Sequence, residues 1–281
     1  MDEQRDALGP LLEGKVAVIT GGGGGIGAAA AALFARHGAA VTIAEIDPDR
    51  AAATAAAVTA AGGSADAVVV DVRSADGVAQ LHDEVSSRHG RVDVLVNNVG
   101  HWVKGTKSFL DSDPSTWDEL HEINFRHVLL VTHAFLPRMV EQGSGSVVNV
   151  SSIEGLRGYP PDPVYGAYKA AVAHFTRCLG VQLGGTGVRV NGIAPDVTES
   201  LQVPYADMVP PEQAPLWPLW VPVGRMGLPA DQANVLLFLA SDLSGFVTGH
   251  TIPTDGGTAA AGGWFRSPAR RGRWTNRPID P

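Results

Sequence analysis

Cysteine is almost absent from this chain of 281 residues, which contains only Cys178. A single cysteine excludes an intrachain disulfide, so the fold must be held by its packed core. The apolar spacing of HFTRCLGVQL predicts a helix with Cys178 as a buried thiol, and no catalytic cysteine is expected. The nine histidines show no metal-ligand spacing such as H-E-x-x-H, so we predict no metal site.

Positive charge and long apolar runs are also scarce. Lys and Arg total 21 against 29 Asp and Glu, a net charge of −8 at pH 7 that argues against a nucleic-acid-binding surface. The opening MDEQRDALGPLLEGK carries acidic residues and no apolar run, unlike a signal peptide. No later segment reaches the length of a membrane span. We therefore expect a cytoplasmic protein with neither nucleic acid nor membrane as a partner.

Short apolar strands alternate with longer helical segments along most of the chain. We predict strands at 16–20, 41–45, 67–70, 92–96, 146–150, 188–193 and 250–253. The segments between them have the length and composition of helices. This rhythm predicts the α/β class, with a doubly wound, Rossmann-type parallel sheet and helices on both faces. One domain is expected over 1–281, with its core at about 12–257 and no interdomain linker.

Five consecutive glycines follow the first predicted strand and precede an alanine-rich helix. They fit two dinucleotide-binding patterns. Gly22, Gly24 and Gly27 match G-x-G-x-x-G, whereas Gly21, Gly25 and Gly27 match G-x-x-x-G-x-G. Under either pattern the backbone approaches a pyrophosphate at the positive end of a helix dipole. The glycines alone do not decide between the patterns, and a loop that binds nothing would look similar.

Glu45 ends the second predicted strand, about twenty positions after the glycines. A carboxylate there accepts hydrogen bonds from the adenine ribose hydroxyls and repels a 2′-phosphate. The glycine loop has no Arg or Lys to bind that phosphate. We therefore predict NAD as the cofactor rather than NADP, with Asp47 as the second candidate for the ribose contact.

Tyr165 and Lys169 are four residues apart in a predicted helix, so they share one of its faces. A free tyrosine has a pKa of about 10, which is too high for a base near neutrality. A neighbouring ammonium group favours the phenolate and lowers this pKa. The pair therefore suits proton transfer to or from an alcohol, although an amphipathic helix face would give the same spacing.

Taken together, these motifs resemble the short-chain dehydrogenase/reductase family in its single-domain form. The resemblance runs from GKVAVITGGGGGIG to FLASDLSGFVTGHTIPTDGG, nearly the whole chain. The family pattern T-G-x-x-x-G-I-G is matched from Thr20 onwards and selects the wider glycine spacing. NNVG at 97–100 is similar to the family's N-N-A-G. The resemblance implies cofactor contacts at Gly21, Gly25, Ile26, Gly27, Glu45, Asp71, Val72, Asn98, Gly100, Tyr165, Lys169, Pro195 and Thr198.

The resemblance also implies the catalytic set Asn124, Ser152, Tyr165 and Lys169. Ser152 precedes Tyr165 by the spacing usual in the family, and its neighbour Ser151 is one position short. Tyr165 is then the base in alcohol oxidation and the acid in carbonyl reduction, while Ser152 hydrogen-bonds the substrate oxygen. Lys169 lowers the tyrosine pKa and holds the nicotinamide ribose. Asn124 would hold a water in a proton relay to Lys169.

One position departs from the family pattern. The family usually has Pro-Gly after the sixth strand, whereas this chain has Pro195-Asp196. Glycine there allows backbone geometry close to the nicotinamide, and aspartate tolerates unusual backbone conformations better than most residues. We expect Asp196 to place a carboxylate near the nicotinamide ring.

The substrate is indicated only by a loop rich in proline and tryptophan at 199–222. In the family this segment covers the substrate, so its apolar bulk favours a hydrophobic or cyclic secondary alcohol or ketone. His101, Trp102 and Glu154 are further candidates for the pocket wall. The sequence thus predicts an NAD-dependent oxidoreductase. The alternatives are a 3-ketoacyl-thioester reductase of lipid metabolism and a non-catalytic NAD-binding protein.

The segment 258–281 extends beyond the resemblance and combines aromatic residues with five arginines, at 266, 270, 271, 273 and 277. A basic aromatic segment on an acidic chain is expected to dock onto its own or a neighbouring subunit. The family commonly forms tetramers, so we expect a homotetramer, with this segment ordered across a subunit contact. A solvated tail is the simpler alternative.

Overall fold

The computed structural model describes residues 9–102, 109–200, 203–204, 209–267 and 273–275. Its centre is a parallel sheet of seven strands in the order β3-β2-β1-β4-β5-β6-β7. The strands are β1 Val16–Thr20, β2 Ala40–Glu45, β3 Ser64–Val69, β4 Val94–Asn97, β5 Gly145–Val150, β6 Val188–Pro195 and β7 Thr251–Thr254. The predicted doubly wound α/β fold is confirmed.

The strand bounds agree best with the prediction at the centre of the sheet. β1 has the predicted bounds and is buried at every position, because it is covered on both faces. β3 begins at Ser64, three residues before the predicted start. It is an edge strand that pairs with β2 along its whole length, and its polar first half gave no apolar pattern from which the start could be predicted. β6 continues to Pro195, where it pairs with β7, and so reaches the carboxyl edge of the sheet.

Nine helices in the described residues pack around this sheet. They are α1 Gly25–Arg36, α2 Pro48–Ala60, α3 Ala75–His89, α4 Pro114–His121, α5 His127–Gln142, α6 Pro163–Gln182, α7 Trp217–Trp220, α8 Pro229–Ala240 and α9 Thr258–Ala261. One buried cluster joins α1, α2 and α8 to one face of the sheet. A second joins α3, α5 and α6 to the other face. No helix of the described residues is long and apolar enough to cross a membrane.

Cys178 corrects one expectation. It lies in α6 as predicted, but its thiol is exposed. The buried face of this helix includes Val172, Thr176 and Leu179, which recur at helical spacing. Cys178 falls beside this stripe, because the short apolar run of the sequence does not show on which side the stripe passes.

The C-terminal segment contains a small antiparallel hairpin of β8 Phe265–Ser267 and β9 Arg273–Thr275. β8 lies against α7, so the hairpin packs on the proline- and tryptophan-rich loop of its own chain. Ser267 and Thr275 are buried, whereas Trp264 is half exposed. The arginines at 270, 271 and 277 lie outside the described residues. The expected subunit contact of this segment stays a prediction.

Candidate active site

An open cleft of about 760 Å³ lies at the carboxyl ends of the strands. It spans the point between β1 and β4 where the strand order reverses, which is where open α/β sheets bind ligands. Thirteen of the predicted site residues line it, namely Gly21, Gly25, Ile26, Glu45, Asp71, Val72, Asn98, Gly100, Ser152, Tyr165, Lys169, Pro195 and Thr198. Gly27 and Asn124 do not line it and lie behind its wall.

The glycine loop has the geometry of the wider spacing. Gly21 and Gly25 have φ angles of +64° and +51°, which only glycine adopts without strain. A Cβ atom at Gly27 would lie 2.2 Å from the carbonyl oxygen of Gly21, so this position needs glycine for close packing. Gly22 and Gly24 have ordinary negative φ angles. The backbone therefore requires the three glycines of G-x-x-x-G-x-G.

The first turn of α1 points into the cleft with its N–H groups uncapped. Gly24 precedes the helix and supplies no side-chain cap, and no acidic residue lies in the first turn. Free N–H groups and the positive end of the helix dipole form a site for an anionic group. The donors and the bare glycine backbone thus fit the pyrophosphate of a dinucleotide.

Glu45 lies beside this loop with its carboxylate 7 % exposed. Oε2 accepts the N–H of Gly23 at 3.0 Å, and Oε1 accepts the N–H of Ile46 at 3.1 Å. The carboxylate is therefore fixed at the end of the cleft that the glycine loop forms. Asp47, the second candidate, instead caps α2 by accepting the N–H groups of Asp49 and Arg50.

Sequence reasoning missed Arg50, which lines the same end of the cleft. Its Nη2 donates to Oε1 of Glu45 at 3.0 Å. The prediction of NAD considered only cations in the glycine loop, whereas Arg50 lies in the first turn of α2. Its position five residues after Glu45 and just past Pro48 is the signal that places it near the carboxylate.

Two further strand ends complete the cofactor side of the cleft. Asp71, after β3, is held by the guanidinium of Arg73 at 2.7–3.0 Å, and this pairing lowers the pKa of the Asp71 carboxyl. Asn98, after β4, donates from Nδ2 to the carbonyl oxygens of Thr20 and Gly21, both at 3.1 Å. Asn98 thereby fixes the glycine loop against the loop that follows β4.

Tyr165, Ser152 and Lys169 converge at the other end of the cleft. Asp162 caps α6 by accepting the N–H of Tyr165 at 3.0 Å, which fixes the tyrosine in the first turn. The Ser152 side chain, just after β5, hydrogen-bonds the Tyr165 hydroxyl. Nζ of Lys169 lies 5.8 Å from the centre of the tyrosine ring and donates to the carbonyl of Val150 at 3.3 Å.

Burial shifts the pKa values of Tyr165 and Lys169. It raises the pKa of Tyr165 above its ordinary value, while the hydrogen bond from Ser152 partly lowers it. It lowers the pKa of Lys169 to about 8. Gly100 allows the lysine to approach, because a Cβ atom there would lie 2.6 Å from Nζ. The site therefore holds a neutral phenol beside an amine that titrates near physiological pH.

The side chain of Asn124 is fully used within the protein, and its expected place in a proton relay stays a prediction. It lies in a π-helical turn, Glu122–Arg126, between α4 and α5. Its side chain accepts the N–H of His101 at 3.1 Å and donates to the carbonyl of His101 at 2.8 Å. Asn124 thus fixes the loop that carries His101 and Trp102, both of which line the cleft.

Asp196 does not take up the unusual backbone conformation that glycine would permit. The neighbouring Val197 does, with a φ angle of +22°, and it is the one non-glycine residue with positive φ in the described ranges. Asp196 accepts the N–H of Val197 at 2.8 Å through Oδ1. Thr198 is buried and donates from Oγ1 to the carbonyl of Asp196 at 2.6 Å. The carboxylate therefore fixes a strained turn at the end of β6.

A family model described as enoyl-(acyl carrier protein) reductase matches residues 21–259, which include all four members of the predicted catalytic set. The chain belongs to the short-chain dehydrogenase/reductase family. Enzymes of this family bind a nicotinamide cofactor, and this one is an oxidoreductase that acts on a CH–OH group.

Relatives of this dehydrogenase carry several descriptions. It is 37 % identical to a 3-oxoacyl-(acyl-carrier-protein) reductase of Thermotoga maritima over 88 % of this chain and 98 % of the relative. It is also 37 % identical to a cis-4-hydroxycyclohexanecarboxylate dehydrogenase of Sinomonas cyclohexanicum, over 90 % of this chain and all of the relative. A solved structure from Beutenbergia cavernae, described as an NAD(P)-dependent gluconate 5-dehydrogenase with NADP at low occupancy, has a TM-score of 0.82 at 33 % identity, over 90 % of this chain and 100 % of that one.

Proposed function

We propose that this enzyme is an NAD-dependent dehydrogenase that interconverts a hydrophobic or cyclic secondary alcohol and its ketone. The observation that carries the proposal is the convergence of Ser152, Tyr165 and Lys169 at one end of a cleft whose other end contains Glu45. A binding protein would not need the tyrosine and lysine in this arrangement. Bound NAD would supply the hydride acceptor at C4 of its nicotinamide ring.

The proposed proton chemistry belongs to Tyr165. In oxidation its phenolate oxygen takes the proton of the substrate hydroxyl, and in reduction the phenol returns that proton to the carbonyl oxygen. Ser152 Oγ accepts the N–H of Glu154 at 3.2 Å, and its own hydrogen, which is directed to the Tyr165 hydroxyl in this structure, would be donated to the substrate oxygen once substrate binds. Burial opposes the phenolate, so oxidation depends on the positive charges of Lys169 and of the oxidised nicotinamide.

The other residues hold the cofactor in this proposal. Gly21 and Gly25 leave room for the pyrophosphate, Gly27 lets α1 pack against Gly21, and the free N–H groups of α1 bind the pyrophosphate. Glu45 accepts a ribose hydroxyl on Oε2, which takes only one hydrogen bond from the protein. The remaining walls are formed by Ile26 of α1 and by residues at or just after the strand ends, namely Asp71, Val72, Asn98, Gly100, Pro195 and Thr198.

The substrate class rests on the wall opposite the cofactor. Trp102, Tyr159 and Val203 line that end of the cleft and offer flat or apolar surfaces to a ring. The ring of Tyr159 lies 6.0 Å from that of Tyr165, next to the reacting oxygen. The Sinomonas relative carries the name of a cyclohexanol-type dehydrogenase. Part of the loop at 199–222, namely 201–202 and 205–208, lies outside the described residues.

The direct test is a panel of secondary alcohols with NAD, followed by the absorbance of reduced nicotinamide. Cyclic alcohols such as cyclohexanol are expected to be oxidised faster than short linear ones. The second candidate, a 3-ketoacyl-thioester reductase, is favoured by the Thermotoga relative. Faster reduction of acetoacetyl thioesters with NADPH than of cyclic ketones with NADH would support that candidate and reject the proposal.

Glu45→Ser is expected to narrow the preference for NAD over NADP by about tenfold or more, equal to about 1.4 kcal/mol. The substitution removes the repulsion of a 2′-phosphate and releases Arg50, which now pairs with Glu45. The measurement is the ratio of kcat/KM for the two cofactors.

The double variant Glu45→Ser with Arg50→Gln is the matched control for this test. It lacks the guanidinium, so it should show less gain with NADP than Glu45→Ser alone. Equal catalytic efficiency of the wild-type enzyme with both cofactors would mean that our interpretation of Glu45 is wrong.

The full chain is expected to be a homotetramer, and truncation after Gly263 is expected to weaken it. The truncation removes the hairpin that lies against α7 and exposes apolar surface there. We expect dissociation at higher protein concentration by light scattering and a raised KM for the alcohol. Unchanged assembly and unchanged KM would show that the segment contributes neither to a subunit contact nor to substrate binding.

A further inference from the structure

A charged cluster lies at the substrate end of the cleft and is not used in the chemistry described above. The guanidinium of Arg157 donates from Nη2 to Oε1 of Glu154 at 2.8 Å and from Nε to Oε2 at 3.2 Å. The same Nη2 lies 3.1 Å from Oδ2 of Asp196. One arginine therefore pairs with two carboxylates that come from different loops.

The cluster joins three segments around the reacting residues. Glu154 belongs to the loop after β5 and donates its N–H to Ser152 Oγ. Asp196 follows β6 and accepts the hydroxyl of Thr258, the first residue of α9, at 2.5 Å. Arg157 thus connects the loop that carries the catalytic serine to the loop that forms the nicotinamide wall.

The charges of the cluster do not balance. The side chains of Glu154 and Asp196 are 14 % and 11 % exposed and share the one guanidinium of Arg157, which is 38 % exposed. Carboxylates in such a poorly solvated place act strongly on neighbouring groups. Without Arg157, two uncompensated negative charges would face the tyrosines of the cleft.

We propose that Arg157 is a positioning residue of the active site, which holds the loop after β5 to the loop after β6 and offsets the carboxylates of Glu154 and Asp196 in the wall of the cleft. This inference rests on the proposed function, because it concerns the proton chemistry of Tyr165. Asp196, which stands where the family usually has glycine, is the partner that makes this link possible. A chain with glycine at this position has only the Glu154 carboxylate for Arg157 to bind, and the link to the loop after β6 is absent.

The charged and titratable groups around Tyr165 give the proposal a definite sign. Glu154 and Asp162 raise the pKa of its phenol through their charge, and Tyr159 acts in the same direction. Lys169 lies across the ring as the neighbouring cation. Loss of Arg157 adds net negative charge and should raise the pKa further. Loss of Asp196 removes a negative charge, so it should not raise the pKa of Tyr165.

The experiment measures the pH dependence of kcat/KM for oxidation of the best alcohol of the panel. Arg157→Gln is expected to shift the rising limb to higher pH by about one unit. Arg157→Gln combined with Glu154→Gln should return the limb towards its wild-type position. Asp196→Gly should leave the limb in place or move it to lower pH. Both single variants should raise KM severalfold more than they lower kcat, because both break the link between the loops.

Arg138→Gln is the matched control, because Arg138 and Glu141 form a pair at the same spacing far from the cleft. The proposal is overturned if Arg157→Gln behaves like Arg138→Gln. It is also overturned if Arg157→Gln and Asp196→Gly shift the limb in the same direction, which a purely structural role would produce.

A second measurement separates this proposal from the proposed function. The chain has four tyrosines, so labelling their ring carbons with ¹³C gives few signals, and Tyr165→Phe assigns one of them. The titration midpoint of that signal in the NAD complex should rise in Arg157→Gln, even if no alcohol of the panel is oxidised. An unchanged midpoint in an enzyme that does oxidise the panel rejects the role of Arg157 alone.

Discussion

Tyr165→Phe is expected to lower kcat by about 10²–10⁴-fold, the range that a general acid–base group contributes. Phenylalanine keeps the ring in its place in the first turn of α6 but removes the hydroxyl that moves the proton. The Asp162 cap binds the backbone N–H, so the fold of this turn should be retained. Turnover with NAD is the first measurement, and affinity for NADH by fluorescence is the second.

Tyr159→Phe is the control for this experiment. Tyr159 lies in the same cleft, and its ring stacks edge-on against that of Tyr165. Its hydroxyl has no part in the proposed proton transfer, so kcat should change much less than in Tyr165→Phe. The assignment fails if Tyr165→Phe retains substantial turnover. A large loss of NADH affinity would instead show that the tyrosine acts mainly in cofactor binding.

Lys169→Met is expected to abolish most turnover and at the same time to stabilise the protein. Lys169 is 3 % exposed, and burial holds its pKa at about 8, against about 10.4 in an unfolded chain. Below pH 8 this difference costs the folded state about 3 kcal/mol. Methionine has a similar length and no charge. The substitution loses the hydrogen bond to the Val150 carbonyl, worth about 1 kcal/mol, but it removes the larger cost of the buried charge, so the free energy of unfolding should rise by the difference.

The pH dependence identifies the cause of this stabilisation. Between pH 8 and about 10.4 the unfolded chain keeps a proton on Lys169 that the folded chain has lost. The free energy of unfolding of the wild type should therefore rise with pH across this window, relative to that of Lys169→Met. Thermal unfolding of both proteins at pH 7.5 and pH 10 measures the difference. If the difference in stability between Lys169→Met and the wild type is as large at pH 10 as at pH 7.5, the pKa of Lys169 is not lowered in the folded chain.

Local sequence signals predicted the parts of the molecule that depend on neighbouring residues. The buried run Val16–Thr20 is a strand because its side chains are covered on both faces. The glycine pattern was settled by the family motif, and the φ angles of Gly21 and Gly25 show why the backbone requires it. The roles of the individual site residues stay predictions until variants are measured.

Contacts between distant segments could not be read from local patterns. Thr258 lies 62 positions after Asp196, yet the two side chains are hydrogen-bonded. Arg157 meets Asp196 only because β5 and β6 are neighbours in the sheet. The pairing of β8 with β9 and the packing of β8 against α7 could not be predicted either, because composition alone does not show what a segment packs on.

The π-helical turn at Asn124 could not be predicted from the sequence for a different reason. The family motif placed this residue in the catalytic set, which stays a prediction, whereas the reciprocal pair of hydrogen bonds between its side chain and the backbone of His101 was not foreseen. The π-helical turn that turns Asn124 towards this loop has no composition signal, because EINFR is compatible with an ordinary helix.

The place of β1 between β2 and β4 has a consequence for synthesis of the chain. β1 leaves the ribosome before β2, with which it pairs soon afterwards, but its second neighbour, β4, follows only 77 positions later, as the pairing of Ala17 with Val94 shows. At typical elongation rates this delay is about 4–15 s. During that time one edge of β1, which is apolar at four of its five positions, has no partner. We therefore expect the nascent chain to need a chaperone until β4 emerges, and rare codons between the two strands to lower its yield.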